Sequence, residues 1–400
     1  MSIIKGNSKD NSYVGDSDVF GTTNYMYGYG GNDTLEGGFF ADNYIWGGVG
    51  NDIIRGGTGI NRLYGEDGND TISVFWNAPD SQLYGGAGSD ILYAGDGGNY
   101  LNGGTGVDFM FGGAGGDVFI VDNAKDIVED TWVPDFENQA NPIDTVRASA
   151  SFALSSAARI EVIETTAAAG TKAINLTGNG FSQTITGNAG ANRLDGLGGN
   201  DTLVGGAGAD ALLGGTGNDT ASYAGATKGV VASLGSPAKN TNDAKGDTYT
   251  SVENLTGSSF ADTLKGDSLA NKISGGAGND KLYGGLGMDV LAGGAGGDTF
   301  VFDTKLGSTN VDTIKDFNVV QDTIWLDDDI FTKAGAIGDL TANAFYMGSK
   351  AHDASDRVIY DKTSGKLWYD DDGTGGHAAV QFAVIGKGFT LTATDFDIIG

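Results

Sequence analysis

Aspartates follow glycine pairs at a constant distance, as in Gly85–Tyr93 (GGAGSDILY), Gly205–Leu213 (GGAGADALL) and Gly275–Tyr283 (GGAGNDKLY). The unit is nine residues long, Gly-Gly-x-Gly-x-Asp-x-apolar-x. Its glycines permit the positive φ angles of a tight turn, whose carbonyl oxygens can face a cation. The aspartate adds a hard anionic oxygen, and such an oxygen donor set suits Ca2+. The candidate ligands are Asp33, Asp52, Asp70, Asp90, Asp108 and Asp117, then Asp201, Asp210 and Asp219, then Asp262, Asp280, Asp289 and Asp298.

Short strands must hold these turns, because the apolar residue two places after each aspartate points inward from an extended backbone. Repeats of this period stack into a solenoid, so the expected fold is all-β: right-handed parallel β-roll arrays with calcium in the turns and a β-rich C-terminal region. Three arrays stand out, at about 6–120, 178–222 and 257–302. The first ends in Gly116-Asp-Val-Phe-Ile-Val-Asp122 and the third in Gly297-Asp-Thr-Phe-Val-Phe-Asp303, endings suited to capping a roll. The expected division is a first roll over 1–120, a cap with connecting strands over 121–177, a second roll with a cover segment over 178–256, a third roll over 257–310 and a C-terminal module over 311–400.

Successive units place their turns on opposite edges of a roll, so each edge can be read separately. In the first array one edge carries Asp33, Asp52, Asp70, Asp90 and Asp108, whereas the other reads Asn24, Asn43, Asn61, Ser81 and Asn99 before aspartate returns at Asp117. An edge of amides and hydroxyls holds calcium poorly. The strands beside it align Tyr27, Trp46, Tyr64 and Tyr84 in one outward column and Tyr25, Tyr44, Arg62, Gln82 and Tyr100 in the next. Aromatic rings with amide and guanidinium groups on a flat face suit an oligosaccharide, and Arg62 could meet an acidic sugar. The same columns could equally be a cross-strand ladder that stabilises the sheet.

Two turns beside the strip are irregular, Gly37-Gly-Phe-Phe-Ala-Asp42 and Val74-Phe-Trp-Asn-Ala-Pro-Asp80. Glycoside cleavage takes a pair of carboxyl groups. Asp42, Asp80 and Glu36, with Asp96 as a substitute, are the carboxylates near the strip that a calcium ladder leaves over. For each, a solvated surface role is the plainer reading. His352 and His377 have no zinc-ligand spacing, and no HExxH, nucleophile elbow or phosphate loop occurs.

Composition narrows the choice further. The 400 residues include 70 glycines and no cysteine, and 52 acidic residues against 23 basic ones give a net charge of −29. A polyanion repels nucleic acid, and no apolar run has the length of a membrane helix or of a signal-peptide core.

These repeats resemble those of the RTX (repeats-in-toxin) proteins of bacterial type I secretion. Asp312-Thr-Ile-Lys-Asp-Phe and Asp322-Thr-Ile-Trp-Leu are similar to the module after the rolls of serralysin-type proteases, and the stretch from Val358-Ile-Tyr-Asp through Leu367-Trp-Tyr-Asp-Asp-Asp-Gly to Gly400 looks like an uncleaved secretion region. The resemblance implies export by the type I machinery as an unfolded chain that folds on extracellular calcium. In architecture the chain is also similar to rhizobial exopolysaccharide-degrading Ply proteins and to the nodulation protein NodO. The functions in view are therefore binding of an extracellular, acidic polysaccharide, with or without cleavage as a glycanase or lyase; a non-catalytic signalling, pore-forming or bacteriocin-like role; and a biofilm matrix component.

Overall fold

The computed structural model describes residues 1–16, 21–130 and 142–400. Two compact units emerge, Met1–Thr202 with Gly215–Gly217, and Leu203–Gly214 with Asn218–Gly400.

In the first unit the chain alternates between two parallel ladders, one rung at a time. One ladder takes Ser2–Asn7, Thr23–Gly30, Asp42–Val49, Asn61–Asp67, Gln82–Ala87, Tyr100–Thr105 and Val118–Val121. The facing ladder takes Ser12–Val14, Thr34–Glu36, Ile53–Arg55, Thr71–Ser73, Ile91–Tyr93, Phe109–Phe111 and Ile127–Glu129. The period-2 alternation of a strand sends one large apolar residue inward from each rung. Met26, Ile45, Leu63, Leu83, Leu101 and Phe119 form one file, Leu35, Ile54, Ile72, Leu92 and Met110 the opposing one, and every member is wholly buried. Each such side chain contributes about 1.5–3 kcal/mol, so a narrow core is extended one rung at a time.

The segment expected as a cap, 121–177, carries the ladders onward. Thr145–Ala148 pairs in parallel with Val118–Val121, Val162–Thr165 with Thr145–Ala148, and Thr184–Thr186 with Val162–Thr165. Val146, Ile163 and Ile185 prolong the buried file without any glycine pair. Residues 131–141 of that segment lie outside the described residues.

The second unit repeats the plan. Thr220–Ser222, Asn254–Thr256, Lys272–Ala277, Val290–Ala295 and Asp312–Ile314 form one parallel ladder; Val231–Ser233, Thr263–Lys265, Lys281–Tyr283, Thr299–Phe302 and Thr323–Asp327 form the other. The geometry then changes. Val358–Asp361, Lys366–Tyr369 and Val380–Val384 are joined antiparallel, and Val380–Val384 also pairs with Asp312–Ile314. Phe302, Phe331, Tyr369 and Phe382 pack edge to face beneath them. Phe396–Ile399 runs parallel to Thr323–Asp327 and carries Gly338–Asp339 antiparallel on its other side.

Candidate calcium ladders

At one edge of the first unit the strands are joined by three-residue turns, Gly50–Asp52, Gly68–Asp70, Gly88–Asp90 and Gly106–Asp108. The leading glycines have φ between +134° and +147°, a region closed to side chains with a Cβ. This places every turn aspartate directly over the next. The backbone N–H of Asp33 donates to Asp52 Oδ1 at 2.7 Å, that of Asp52 to Asp70 Oδ1 at 2.7 Å, that of Asp70 to Asp90 Oδ1 at 2.7 Å and that of Asp90 to Asp108 Oδ1 at 2.8 Å.

Only one oxygen of each carboxylate is satisfied in this way. Oδ2 of Asp33, Asp52, Asp70, Asp90, Asp108 and Asp117 is buried and accepts no hydrogen bond. Each points into a cradle that only glycine leaves open. A Cβ on Gly47 would stand 2.2 Å from Asp52 Oδ2, and one on Gly65 would stand 2.1 Å from Asp70 Oδ2 and 2.5 Å from the Gly85 carbonyl oxygen. A buried carboxylate oxygen converging with backbone carbonyls is a donor set for a hard divalent cation, so these residues fit Ca2+. Once bound, calcium would neutralise charges that burial makes costly. Burial, with the neighbouring carboxylates, pushes Asp52 and Asp90 up to about 7 and Asp70 and Asp108 up to about 6.

The opposite edge supplies its own partners. Asn24 Nδ2 donates to Asn43 Oδ1 at 3.1 Å and Asn43 Nδ2 to Asn61 Oδ1 at 3.0 Å, followed by Asn61 to Ser81 Oγ and the Ser81 N–H to Asn99 Oδ1. A neutral amide both donates and accepts, so this stack is held together without a cation. Asp117 ends it, accepting from the Asn99 N–H at 2.7 Å.

In the second unit Asp262 donates its N–H to Asp280, Asp280 to Asp298 and Asn271 to Asp289. Oδ2 of Asp280, Asp289 and Asp298 is again buried without a hydrogen bond. Asp262 differs from the rest, because Oδ1 accepts from the Val230 N–H and Oδ2 from the Ser258 N–H, both at 2.6 Å. It is satisfied as the first rung of its ladder. Asp201 accepts the Gln183 N–H, while Asp210 and Asp219 donate to Asp247 Oδ1 and Glu253 Oε2.

The ladders also run past the repeats onto carboxylates that the nonapeptide pattern does not contain. Asp108 donates to Asp126, Asp117 to Asp144, Asp289 to Asp312 and Asp298 to Asp322. Asp126 and Asp322 close their stacks, since the second oxygen of each accepts turn amides, from Asp122 and Asn123 in one case and from Asn318 in the other. The available signal was an aspartate at or directly before the start of a strand, as in Asp144-Thr-Val, Asp312-Thr-Ile and Asp322-Thr-Ile.

The outward aromatic columns form as spaced. Tyr27, Trp46, Tyr64 and Tyr84 stack with centroids 4.8, 5.3 and 4.8 Å apart and planes within 7°. Tyr25 stacks on Tyr44 at 5.1 Å, Arg62 lies over Tyr44, and Gln82 and Tyr100 follow in register. Ring faces are therefore spent on one another, and the surface is made of ring edges; the expectation of a face open to sugar is corrected in that respect. Open aromatic surface lies instead on the irregular turns. Phe39 meets Phe40 and Phe75 edge to face at 4.7 and 4.8 Å, and Trp76 is 71% exposed.

The candidate cleavage carboxylates each have a structural partner. Asp42 Oδ1 accepts the Ile60 N–H at 2.9 Å, Asp80 Oδ1 accepts the Gly98 N–H at 3.0 Å, and Glu36 pairs with Arg55 at 2.8 Å on the other ladder. Asp42 and Asp80 occupy equivalent positions on either side of Ile60, hence roughly 10 Å apart at the strand spacing of a sheet. Asp96 is exposed on the following turn, where its N–H donates to the Trp76 carbonyl. His377 lies 3.0 Å from Asp371, which raises its pKa, and His352 lies beside Asp353.

Parallel ladders whose turns stack half-satisfied, buried aspartates define a calcium-binding β-roll protein. The family model of the RTX calcium-binding nonapeptide repeat (four copies) matches residues 23–44, 46–74, 84–119, 177–221 and 265–300, and the chain carries these RTX repeats. RTX repeat proteins are typically exported by type I secretion. Among solved structures, the extracellular lipase LipA from Serratia marcescens is similar over 64% of this chain at 16% identity, with a TM-score of 0.20. The chain spans 45% of that lipase's length. No curated protein matches the chain. Among the described residues no helix is long and apolar enough to cross a membrane, which says nothing of membrane β-barrels.

Proposed function

We propose that the chain is a secreted protein that folds on extracellular calcium and uses its first roll to bind an acidic polysaccharide. The observation that carries this reading is the aromatic surface beside the amide-stacked edge. Phe39, Phe40, Phe75 and Trp76 stand exposed on turns whose buried apolar side chains are Ala41 and Ala78. Apolar patches of this kind on a soluble surface usually have a partner. Next to them the edges of the stacked columns offer a row of tyrosine hydroxyls, the Gln82 amide and the exposed Arg62 guanidinium, groups that match sugar hydroxyls and a carboxylate.

The reading is of binding rather than cleavage, since Asp42, Asp80 and Glu36 are each committed to a hydrogen bond or ion pair within the roll. Affinity electrophoresis through gels containing acidic bacterial exopolysaccharides, in calcium, tests it. Phe40→Ala with Trp76→Ala should release the retarded protein while its β-sheet dichroism is unchanged, and Arg62→Gln should weaken retardation on the acidic polymers alone. Equal migration of wild type and variants on every polymer would remove the polysaccharide from the proposal.

A further inference from the structure

The hairpin that joins Lys366–Tyr369 to Val380–Val384 carries the sequence Asp370-Asp-Asp-Gly-Thr-Gly-Gly-His377. It folds around its own carboxylates. Asp370 Oδ1 accepts the Gly373 N–H at 2.8 Å, and Asp372 Oδ2 accepts those of Gly376 and His377 at 2.8 and 3.1 Å. A Cβ on Gly375 would stand 2.1 Å from Asp372 Oδ2, so glycine lets the loop close this tightly. Closure brings the His377 imidazole beside two carboxylates: Nδ1 is 3.0 Å from Asp371 Oδ1 and 3.8 Å from Asp372 Oδ2. Asp372 Oδ1 is buried and accepts no hydrogen bond. An open cleft of about 440 Å3 begins at the same place, and Asp371 and His377 line it together with Lys305, Asp329 and Tyr369.

We infer that Asp371, Asp372 and His377 form a site for a divalent transition-metal ion of the zinc class, distinct from the calcium turns of the rolls. One donor atom from each residue lies within 4.8 Å of the other two. The imidazole decides the metal. Calcium takes oxygen donors, whereas a nitrogen donor joined to two carboxylates suits Zn2+ and its neighbours. Bonds of about 2.0–2.2 Å to a tetrahedral ion hold its donors roughly 3.4 Å apart, between the two distances found around His377 Nδ1. Two carboxylates cancel the charge of the ion, and three protein donors leave a fourth position open, as in exchangeable zinc sites. The cleft gives that position room for a water or a small anion beside the Lys305 ammonium. The other histidine lacks such a set. His352 stacks on Tyr346 with ring centroids 5.2 Å apart, while Asp353 is spent on Ser355 and Asp356 on the N–H groups of His352 and Asp353. The inference is independent of what the aromatic surface binds.

Titration of the full-length protein with Co2+ in excess calcium, followed by visible absorption, tests the site. The wild type should take up a single Co2+ with a saturable band that an equivalent of Zn2+ removes. His377→Ala should abolish the band and Asp371→Asn should weaken binding at least tenfold, with the β-sheet dichroism of both unchanged. His352→Ala should leave the band as it is. A band that survives His377→Ala, or is lost with His352→Ala instead, would overturn the inference. Displacement of the cobalt by calcium would do the same in favour of a calcium loop, and no saturable uptake by the wild type would leave His377 and Asp371 as a surface ion pair. X-ray absorption of the zinc-loaded wild type needs no variant. It should show one imidazole in an otherwise oxygen shell, and a shell of oxygens alone would equally exclude the site.

Discussion

Half-satisfaction is the property of a single turn aspartate that matters most. Oδ1 is consumed by the neighbouring rung and Oδ2 is held for a cation, so neither the charge nor the space can be altered alone. Gly65→Ala would drive a methyl group to 2.1 Å from Asp70 Oδ2. It should raise the calcium concentration needed for the β-sheet dichroism by tenfold or more, whereas an alanine at Gly225, which meets nothing within 4 Å, should leave that midpoint in place. The pH response follows from burial. Without metal, folded Asp52 and Asp90 hold their protons to about 7 and Asp70 and Asp108 to about 6, while in an unfolded chain aspartate titrates near about 4. The folded form binds more protons in that interval, so calcium-free stability should be greatest near pH 4 and be lost as the pH rises to about 7. Calcium must displace those protons, and its affinity should climb over the same interval. Urea midpoints across pH, in chelator and in calcium, check both trends, and parallel curves would contradict them. The repeating aspartates were legible in the sequence because their period is rigid; the satisfied state of Asp262 was not, since it depends on Val230, which is distant in sequence.

Among elements, the neutral edge makes a different prediction from the acidic one. Asn43 is wholly buried and joins Gly38, Ala41 and Asn61. Asn43→Ala leaves the Gly38 N–H without its acceptor and should cost about 2–4 kcal/mol. Thermal unfolding in saturating calcium should show this loss with the calcium midpoint little changed, and a shift in the midpoint instead would mean that the amide stack is part of a metal site. The strands, their inward files and the aromatic columns could be read from spacing alone. The strands of 121–177 were expected as a cap with connections, and no glycine pair marks the rungs through which Val146 and Ile163 prolong the buried file. The closing acids Asp126, Asp144, Asp312 and Asp322 were hidden for a related reason: Asp126 and Asp144 keep to multiples of the nine-residue period but lack its glycine pairs, and longer excursions carry Asp312 and Asp322 off the period.

For the whole molecule, a net charge of −29 concentrated in stacked turns cannot be folded cheaply without counter-ions. Chelation at pH 8 should abolish the β-sheet dichroism and expand the chain toward a radius of gyration of roughly 70 Å, reversibly on return of calcium; small-angle scattering that stays compact in chelator would show that the core files suffice. The composition announced this dependence, and the repeat pattern announced the fold. The aromatic knuckle formed by Phe39, Phe40, Phe75 and Trp76 was less legible, because Phe39 and Phe75 meet only across the intervening turn Gly56–Ile60.

The two edges of the first roll also obey different length rules. Turns on the aspartate side from Gly31 to Asp108 are three residues each, while those on the amide side, Gly37–Ala41, Gly56–Ile60, Val74–Ser81 and Ala94–Asn99, run from five to eight. Insertions on the first side would break the stack, whereas on the second they are simply extruded. The roll is thus a display frame with one margin locked and the other free, and turns along the free margin could be exchanged one by one to change what the protein recognises while the calcium-bearing spine stays as it is.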